Sequence, residues 1–328
     1  MTAGPHAAEG RGGAWTEERG TSDEGRSRLQ APRSQAETAA GLVERSAAAY
    51  AAAVPEHPQD EGFFGPASVT WRVASDLSAP VAGLRSLLMQ ALHPLAMAGV
   101  DQHSGWRSDP VGRLAATSAY EAIVTFGDRA SATRVAQRVR AIHTHVQGTD
   151  TVTGQPYAAG DPALLLWVHV ALVDSGLAAG ALFGTPLADA DADAYVREMT
   201  IAAELLGVPH ELIPASVAEL ERYITGVRPE LLCTPAAAES MGFLLDPSGL
   251  DEDIAELWQD IREASIAALP GWARNMYGYA APPAPAPERR TEIRQTLGVL
   301  DAVFLSEPGV LEARQRIALR MRSAGKAR

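Results

Sequence analysis

The stretch PALLLWVHVALVDSGLAAGALF, residues 162–183, decides the fold. It is close to the ~20 residues that cross a hydrocarbon core as a helix. His169, Asp174 and Ser175 interrupt it. An ionised group at the centre of a bilayer costs about 3 kcal/mol or more, so these residues argue against a membrane span. No second stretch of this kind accompanies it. Asp161 supplies a capping side chain, and Pro162 falls in the first turn, where a missing N–H is harmless. The segment therefore reads as the buried central helix of an all-α domain, with no stable membrane insertion expected.

Outward from it, the pattern from about residue 67 is helical. Apolar positions recur three and four apart, and no alternating β-branched run of strand length appears. SDLSAPVAGLRSLLMQALHP (75–94) meets Pro94, which should kink or end it. SDPVGRLAATSAYEAIVTFGD predicts a helix from Asp109-Pro110 to Gly127, and DRASATRVAQRVRAIHTHVQG one from Asp128 to Gly148. ADADADAYVREMTIAAELLGVP starts in an acidic cap cluster and stops at Gly207; PASVAELERYITGV follows. LPGWARNMYGY (269–279) reads as a loop or short helix, and APPAPAPE (281–288) as a stiff extended linker. TEIRQTLGVLDAVFLS and GVLEARQRIALRMRSA close the chain as amphipathic helices, the basic run of the last being a solvated face.

Three regions are expected. Residues 1–45, rich in Gly, Ser, Glu and Arg, bury too little apolar surface to offset their ordering entropy and read as a disordered tail. They also lack the apolar run of a secretory signal. Residues 46–280 form one multi-helix domain, and 281–328 a Pro-rich linker with C-terminal helices. Lys plus Arg number 28 against 40 Asp plus Glu, a net charge of −12 that disfavours nucleic acid and anionic membrane surfaces as partners. The single cysteine, Cys233, excludes an internal disulfide and any CxxC site. A reducing, cytoplasmic setting is the expectation.

Chemistry is sought among the histidines. In RVAQRVRAIHTHVQG (134–148), Val135, Val139, Ile142 and Val146 form one stripe of a helix, and His143 lies at its edge. His145 projects roughly 100° away, on the flank of Arg134 and Arg138. The rings diverge, so this pair cannot chelate one metal. His143 is the inward one, either a core histidine bonded to a neighbour's carbonyl or a ligand. One helix earlier, Arg113, Thr117 and Tyr120 share a face at four- and three-residue spacing. His93 precedes Pro94, His103 falls in DQHSGW, read as a loop, and His169 lies mid-way along the apolar helix, where its nitrogens need partners.

QALHPLAMAGVDQHS, RLAATSAYEAIVTFGD, IHTHVQG, YAAGDPALLLWVHVALVDS, AELLGVP and LPGWARNMYG resemble, in this order and spacing, the MpaB/rubber oxygenase (latex-clearing protein) family over about residues 67–280. The resemblance implies an all-α protein with a globin-like core that binds haem b and uses dioxygen to cleave a carbon–carbon double bond. It places the proximal iron ligand on His143 and the family's arginine and threonine on Arg113 and Thr117, as catalytic and cofactor-binding residues. His169 is the further cofactor-binding candidate. Two departures stand out. Ala116 occupies the position where rubber oxygenases carry a lysine. The carboxylate proposed as the family's base has no counterpart, since Asp101 falls in a loop read differently. With no secretion signal, the expected substrate is a small hydrophobic unsaturated molecule (a lipid, terpenoid or polyketide) rather than polymeric rubber. A haem- or lipid-binding protein without oxygenase turnover is the alternative. A di-iron carboxylate bundle would need paired Glu-x-x-His motifs, and the chain has none.

Overall fold

In the computed structural model, residues 60–247, 252–279 and 285–304 are described, and the structural statements that follow concern these. The expected tail, residues 281–284 of the linker and the last expected helix lie outside them. The described residues form twelve α-helices and one two-stranded hairpin. In chain order the helices are α1 (Val69–Ala74), α2 (Ala79–Ala91), α3 (Pro94–His103), α4 (Pro110–Phe126), α5 (Arg129–His143), α6 (Pro162–Phe183), α7 (Asp189–Leu206), α8 (Val217–Val227), α9 (Pro235–Leu245), α10 (Glu252–Ala268), α11 (Gly271–Met276) and α12 (Pro287–Phe304). The all-α expectation holds.

The central helix α6 starts where its signals place it, with Asp161 accepting from the Ala163 N–H at 2.9 Å. It meets the length and hydropathy of a membrane span, yet most of it is buried inside the protein. Two apolar clusters enclose it. On one side Trp167, Ala171 and Phe183 pack with Val81, Leu84, Leu88 and Leu92 of the α2 region, Ile261 and Ala264 of α10, and Ile293 and Leu297 of α12. On the other, Leu165, Leu166, Val170 and Val173 pack with Tyr195, Val196 and Met199 of α7 and Leu220 of α8. A helix wrapped on both sides has no polar stripe to display, which is why its sequence shows no amphipathic period.

Arg85 on α2 explains the polar residues that interrupt this helix. The residue is 2% exposed. Nε donates to the Ala268 carbonyl at 2.8 Å, Nη1 to Ser175 Oγ at 2.6 Å and Nη2 to Asp174 Oδ2 at 2.6 Å. One guanidinium thus ties α2, α6 and α10 together.

Other boundaries differ from the pattern-based reading. Pro94 opens a new helix rather than kinking one: His93 takes the extended backbone favoured before proline and becomes the N-cap of α3. His103, expected in a loop, is the last residue of α3, with Nε2 3.1 Å from Tyr157 Oη. The short-helix option holds for 271–276. The helix expected to reach Gly148 stops at His143, and a hairpin follows, pairing Gln147–Thr149 with Pro156–Ala158. Its turn is held by Asp150, which accepts from the Thr153 N–H at 2.8 Å and the Thr153 hydroxyl at 2.6 Å, with Gly154 at φ 72°. Gly148 is no helix stop. A Cβ there would meet Tyr157 Oη at 2.8 Å, so glycine permits the close approach of the two strands. Gly207, at φ 101°, does end α7 in the left-handed conformation expected of it.

Removing one partner of a buried ion pair costs about 3–5 kcal/mol. Arg85→Ala should therefore lower unfolding stability by that amount in urea titrations, and a loss under 1 kcal/mol would show that the tie is dispensable.

Candidate functional site

The candidate site is built on two consecutive helices. α4 begins at Asp109, whose Oδ1 accepts from the Gly112 N–H at 2.9 Å, with Pro110 in the first turn. α5 begins at Asp128, which accepts from the Ser131 N–H at 2.7 Å. The two helices pack against each other, and α5 also packs on α7. Two small residues of α5, Ala132 and Ala136, are fully buried. The inward line of α5 is Ala132, Ala136, Val139 and His143, at four-, three- and four-residue steps. Ile142, expected inside, is 54% exposed. The true stripe thus turns Ile142 out and takes in the small residues Ala132 and Ala136 beside Val139.

His143 is the C-terminal residue of α5. Its Nδ1 is buried without a hydrogen-bond partner. Burial lowers its basicity, and the positive charge of Arg113 lowers it further. Both effects keep the imidazole neutral at pH 7, the form that binds metals. His145 lies beyond the helix end, exposed, its Nδ1 3.0 Å from the Ala141 carbonyl. The divergence of the two rings holds.

Arg113 Nη1 donates to Thr117 Oγ1, and the Thr117 hydroxyl lies 3.0 Å from the Arg113 carbonyl. Among the described residues no carboxylate pairs with Arg113. Its side chain remains reachable by solvent, yet enough protein surrounds the guanidinium to lower its basicity by desolvation. Arg113 and Thr117 thus share a face of α4 as their spacing expected, and the charge of Arg113 reaches the His143 ring. Ala116 beside them is exposed. Tyr120, on the same helix, is pushed well above the ordinary phenol value, chiefly by burial.

His169 is placed differently. It is 7% exposed on α6, and burial pushes its pKa down to about 4. No hydrogen bond, ion pair or ring contact joins it to His143, Arg113 or Thr117 among the described residues, and none supplies the partner its burial was expected to demand. His93 is likewise buried with an unpartnered Nδ1, its ring centroid 6.3 Å from that of Trp167. Asp101 lies on α3, not in a loop, and is committed to Arg107 at 2.6 Å. Among the described residues, no group of three or more His, Cys, Asp or Glu side chains is placed to hold a metal ion.

One residue went unread in the sequence. Glu121 stands one turn beyond Thr117 on α4, and burial alone pushes its carboxyl up to about 7. The only sequence signal was its step of four from Thr117.

The chain belongs to the family described as ER-bound oxygenase mpaB/B'/rubber oxygenase, catalytic domain, which matches residues 71–302. The match runs from α1 into α12 and includes Arg113, Thr117, His143 and His169. No curated protein and no solved structure matches the chain. The domain is that of an oxygenase, an enzyme class acting with dioxygen on a small molecule.

His169 yields a pH prediction. Its folded form releases the proton at about 4, against 6.5 for an ordinary histidine, so the unfolded chain binds more protons between those values. Stability is then complete above pH 6.5 and falls by up to roughly 3 kcal/mol as pH drops toward 4. In urea unfolding at pH 7.5 and 5, His169→Leu should flatten this dependence; an unchanged slope would mean that another group carries it.

Proposed function

We propose that this oxygenase domain is haem b-dependent, with His143 as the proximal iron ligand and a small hydrophobic unsaturated molecule as substrate, in the class of oxidative double-bond cleavage. The observation that carries the reading is a neutral, inward imidazole whose Nδ1 has no partner among the described residues, with an arginine near it that has no carboxylate partner among them. A lone histidine fits a cofactor that brings its other ligands with it, as a porphyrin does. Arg113 has the planar fork that pairs bidentately with a carboxylate such as a haem propionate. When bound, haem b would supply the redox-active iron through which dioxygen is activated.

The chain's own residues do the rest. The end of α5 holds the His143 ring in place, and burial together with Arg113 keeps it unprotonated. Arg113 orients its guanidinium through Thr117, so that its remaining donors point where an anionic group would be received. The packed apolar cluster of α6 and α7 would suit a hydrophobic substrate placed beside it. His169 is buried on α6 as a neutral ring, the further cofactor-binding candidate. The cytoplasmic setting belongs to the same proposal and draws its support from the single cysteine.

Purified protein should show a Soret band. His143→Ala should lose it, while His145→Ala keeps it; Arg113→Ala should bind haem about 10-fold more weakly, as expected for loss of a charge-assisted bond worth ~1.5 kcal/mol. Full haem retention in His143→Ala would move the ligand to His169 or His93.

A further inference from the structure

An open groove of about 310 Å³ runs between α5 and α7. Its α5 wall is polar: Thr133, Gln137 and Arg140, at steps of four and three, share one flank of the helix. Its α7 wall is apolar, made by Ile201 and Leu205, four residues apart and both half-buried. Arg113, Thr117, His143 and His169 are not among its lining residues, so the groove is separate from the candidate oxygenase site.

A third apolar side chain, Phe63, is held at the groove by a strap of chain. Asp60 accepts from the Arg129 N–H at 3.0 Å and from the Gly62 N–H at 3.0 Å, which fixes the strap at the start of α5. Gly62 stands at φ 78°, and a Cβ there would meet the Gly127 carbonyl oxygen at 2.2 Å. Only glycine lets the strap lie against the turn between α4 and α5. The Arg129 guanidinium then stacks over the Phe63 ring, 5.1 Å from its centroid. Phe63, Ile201 and Leu205 thus converge on one groove, whereas apolar residues scattered singly over a surface carry no meaning.

The polar wall is uncommitted. Among the described residues the side chains of Thr133, Gln137 and Arg140 make no hydrogen bond and no ion pair. Arg140 reaches over the end of α7, where a Cβ on Gly207 would stand 3.6 Å from its Nε. Glu204, the one carboxylate among the lining residues, is engaged by His210, whose Nδ1 lies 2.5 Å from Glu204 Oε1. The charge left for a ligand is that of Arg140.

We propose that this groove is a second binding site, for a small amphipathic carboxylate of the medium-chain fatty-acid class. The carboxylate sits on the Arg140 guanidinium, and the apolar body lies along Leu205 and Ile201 toward Phe63. A planar guanidinium receives a carboxylate through two parallel hydrogen bonds, and the Gln137 amide adds a donor one turn away. Thr133 and Arg140 are seven residues apart, about 10 Å along the helix, which gives room for a head group and a short chain. The volume lies at the lower end for small-molecule sites and suits one such molecule.

The test is calorimetric titration of the full chain, free of haem, with sodium decanoate below its micelle-forming concentration, beside decanol and decylammonium. Decanoate should bind once per chain and more tightly than decanol. Arg140→Gln, a change at an exposed side chain that leaves the fold intact, should weaken decanoate about 10-fold and leave decanol unchanged. Leu205→Ser should weaken both ligands. Arg138→Gln, an exposed cation on another flank of α5, and His143→Ala should bind decanoate as wild type does. Decanol binding as tightly as decanoate overturns the proposal, as does an Arg140→Gln protein with wild-type decanoate affinity. Preference for decylammonium also overturns it, by making Glu204 the recognising group. Loss of decanoate binding in His143→Ala with Arg140→Gln unaffected moves the anion to the oxygenase site and removes the second one. A protein that takes up no haem sinks the haem reading alone, since these titrations use none.

Discussion

Everything in this fold is hung on the buried guanidinium of Arg85. Its three hydrogen bonds reach two helices that are more than eighty residues from it in sequence. A charge at 2% exposure is tolerated only when its donors are met, and here a carboxylate, a hydroxyl and a carbonyl meet them. The hydroxyl is itself anchored, since Ser175 lies 2.6 Å from the Ala171 carbonyl one turn back. This arrangement sets the rotation of α6 about its axis. With Asp174 and Ser175 turned toward α2, the remaining faces must carry the two apolar clusters, and their sequence does. A purely hydrophobic helix would have satisfied burial in several rotations, whereas the ion pair selects one.

Fixing α6 also determines where the site lies. Because α6 is enclosed by α2, α10 and α12 on one side and α7 and α8 on the other, the α4–α5 pair packs outside that centre, against α1 and α7. His143 terminates α5, where the helix dipole favours a cationic imidazole by about 0.3–1 kcal/mol. The shift nonetheless runs the other way. Desolvation and the neighbouring Arg113 outweigh the dipole, and the ring is kept as a neutral donor. Had a carboxylate stood where Arg113 stands, the same ring would have been drawn toward its protonated form, which cannot bind a metal.

Much of this was legible in the residues, and the failures share a cause. Caps at Asp109, Asp128 and Asp161 located three helix starts, because an Asx side chain acts locally, as does the first-turn proline after Asp109 and Asp161. The choice of His143 over His145 survived although the stripe used to make it was wrong: Ile142 is out and Ala136 is in. Hydrophobicity alone misjudged the face, since close helix packing rewards small residues as much as large ones. The hairpin after His143 was invisible because strands of three residues cannot display a period. Gly148 was misread as a stop because what demands it is Tyr157, a tertiary neighbour. Glu121 was missed for the same reason, as a glutamate on a helix carries no local sign that its surroundings lack a cation.

The unpartnered groups of the interior argue together more strongly than any one of them. His93 and His143 each bury an Nδ1 without a partner, and Arg113 lacks a counter-ion among the described residues. An unmet buried polar group costs about 1–3 kcal/mol, against a whole-domain stability of about 5–15 kcal/mol. A chain built for stability alone would replace such residues with apolar ones of the same volume and gain from each exchange. Arg85, Ser175 and Asp128, by contrast, have their buried polar atoms met. Among the described residues the unmet atoms include Nδ1 of His93 and His143, Ser104 Oγ, Trp106 Nε1 and Arg274 Nε, and of these only the His143 ring has its basicity lowered by a neighbouring arginine without a carboxylate partner, which is the pairing on which the cofactor proposal rests.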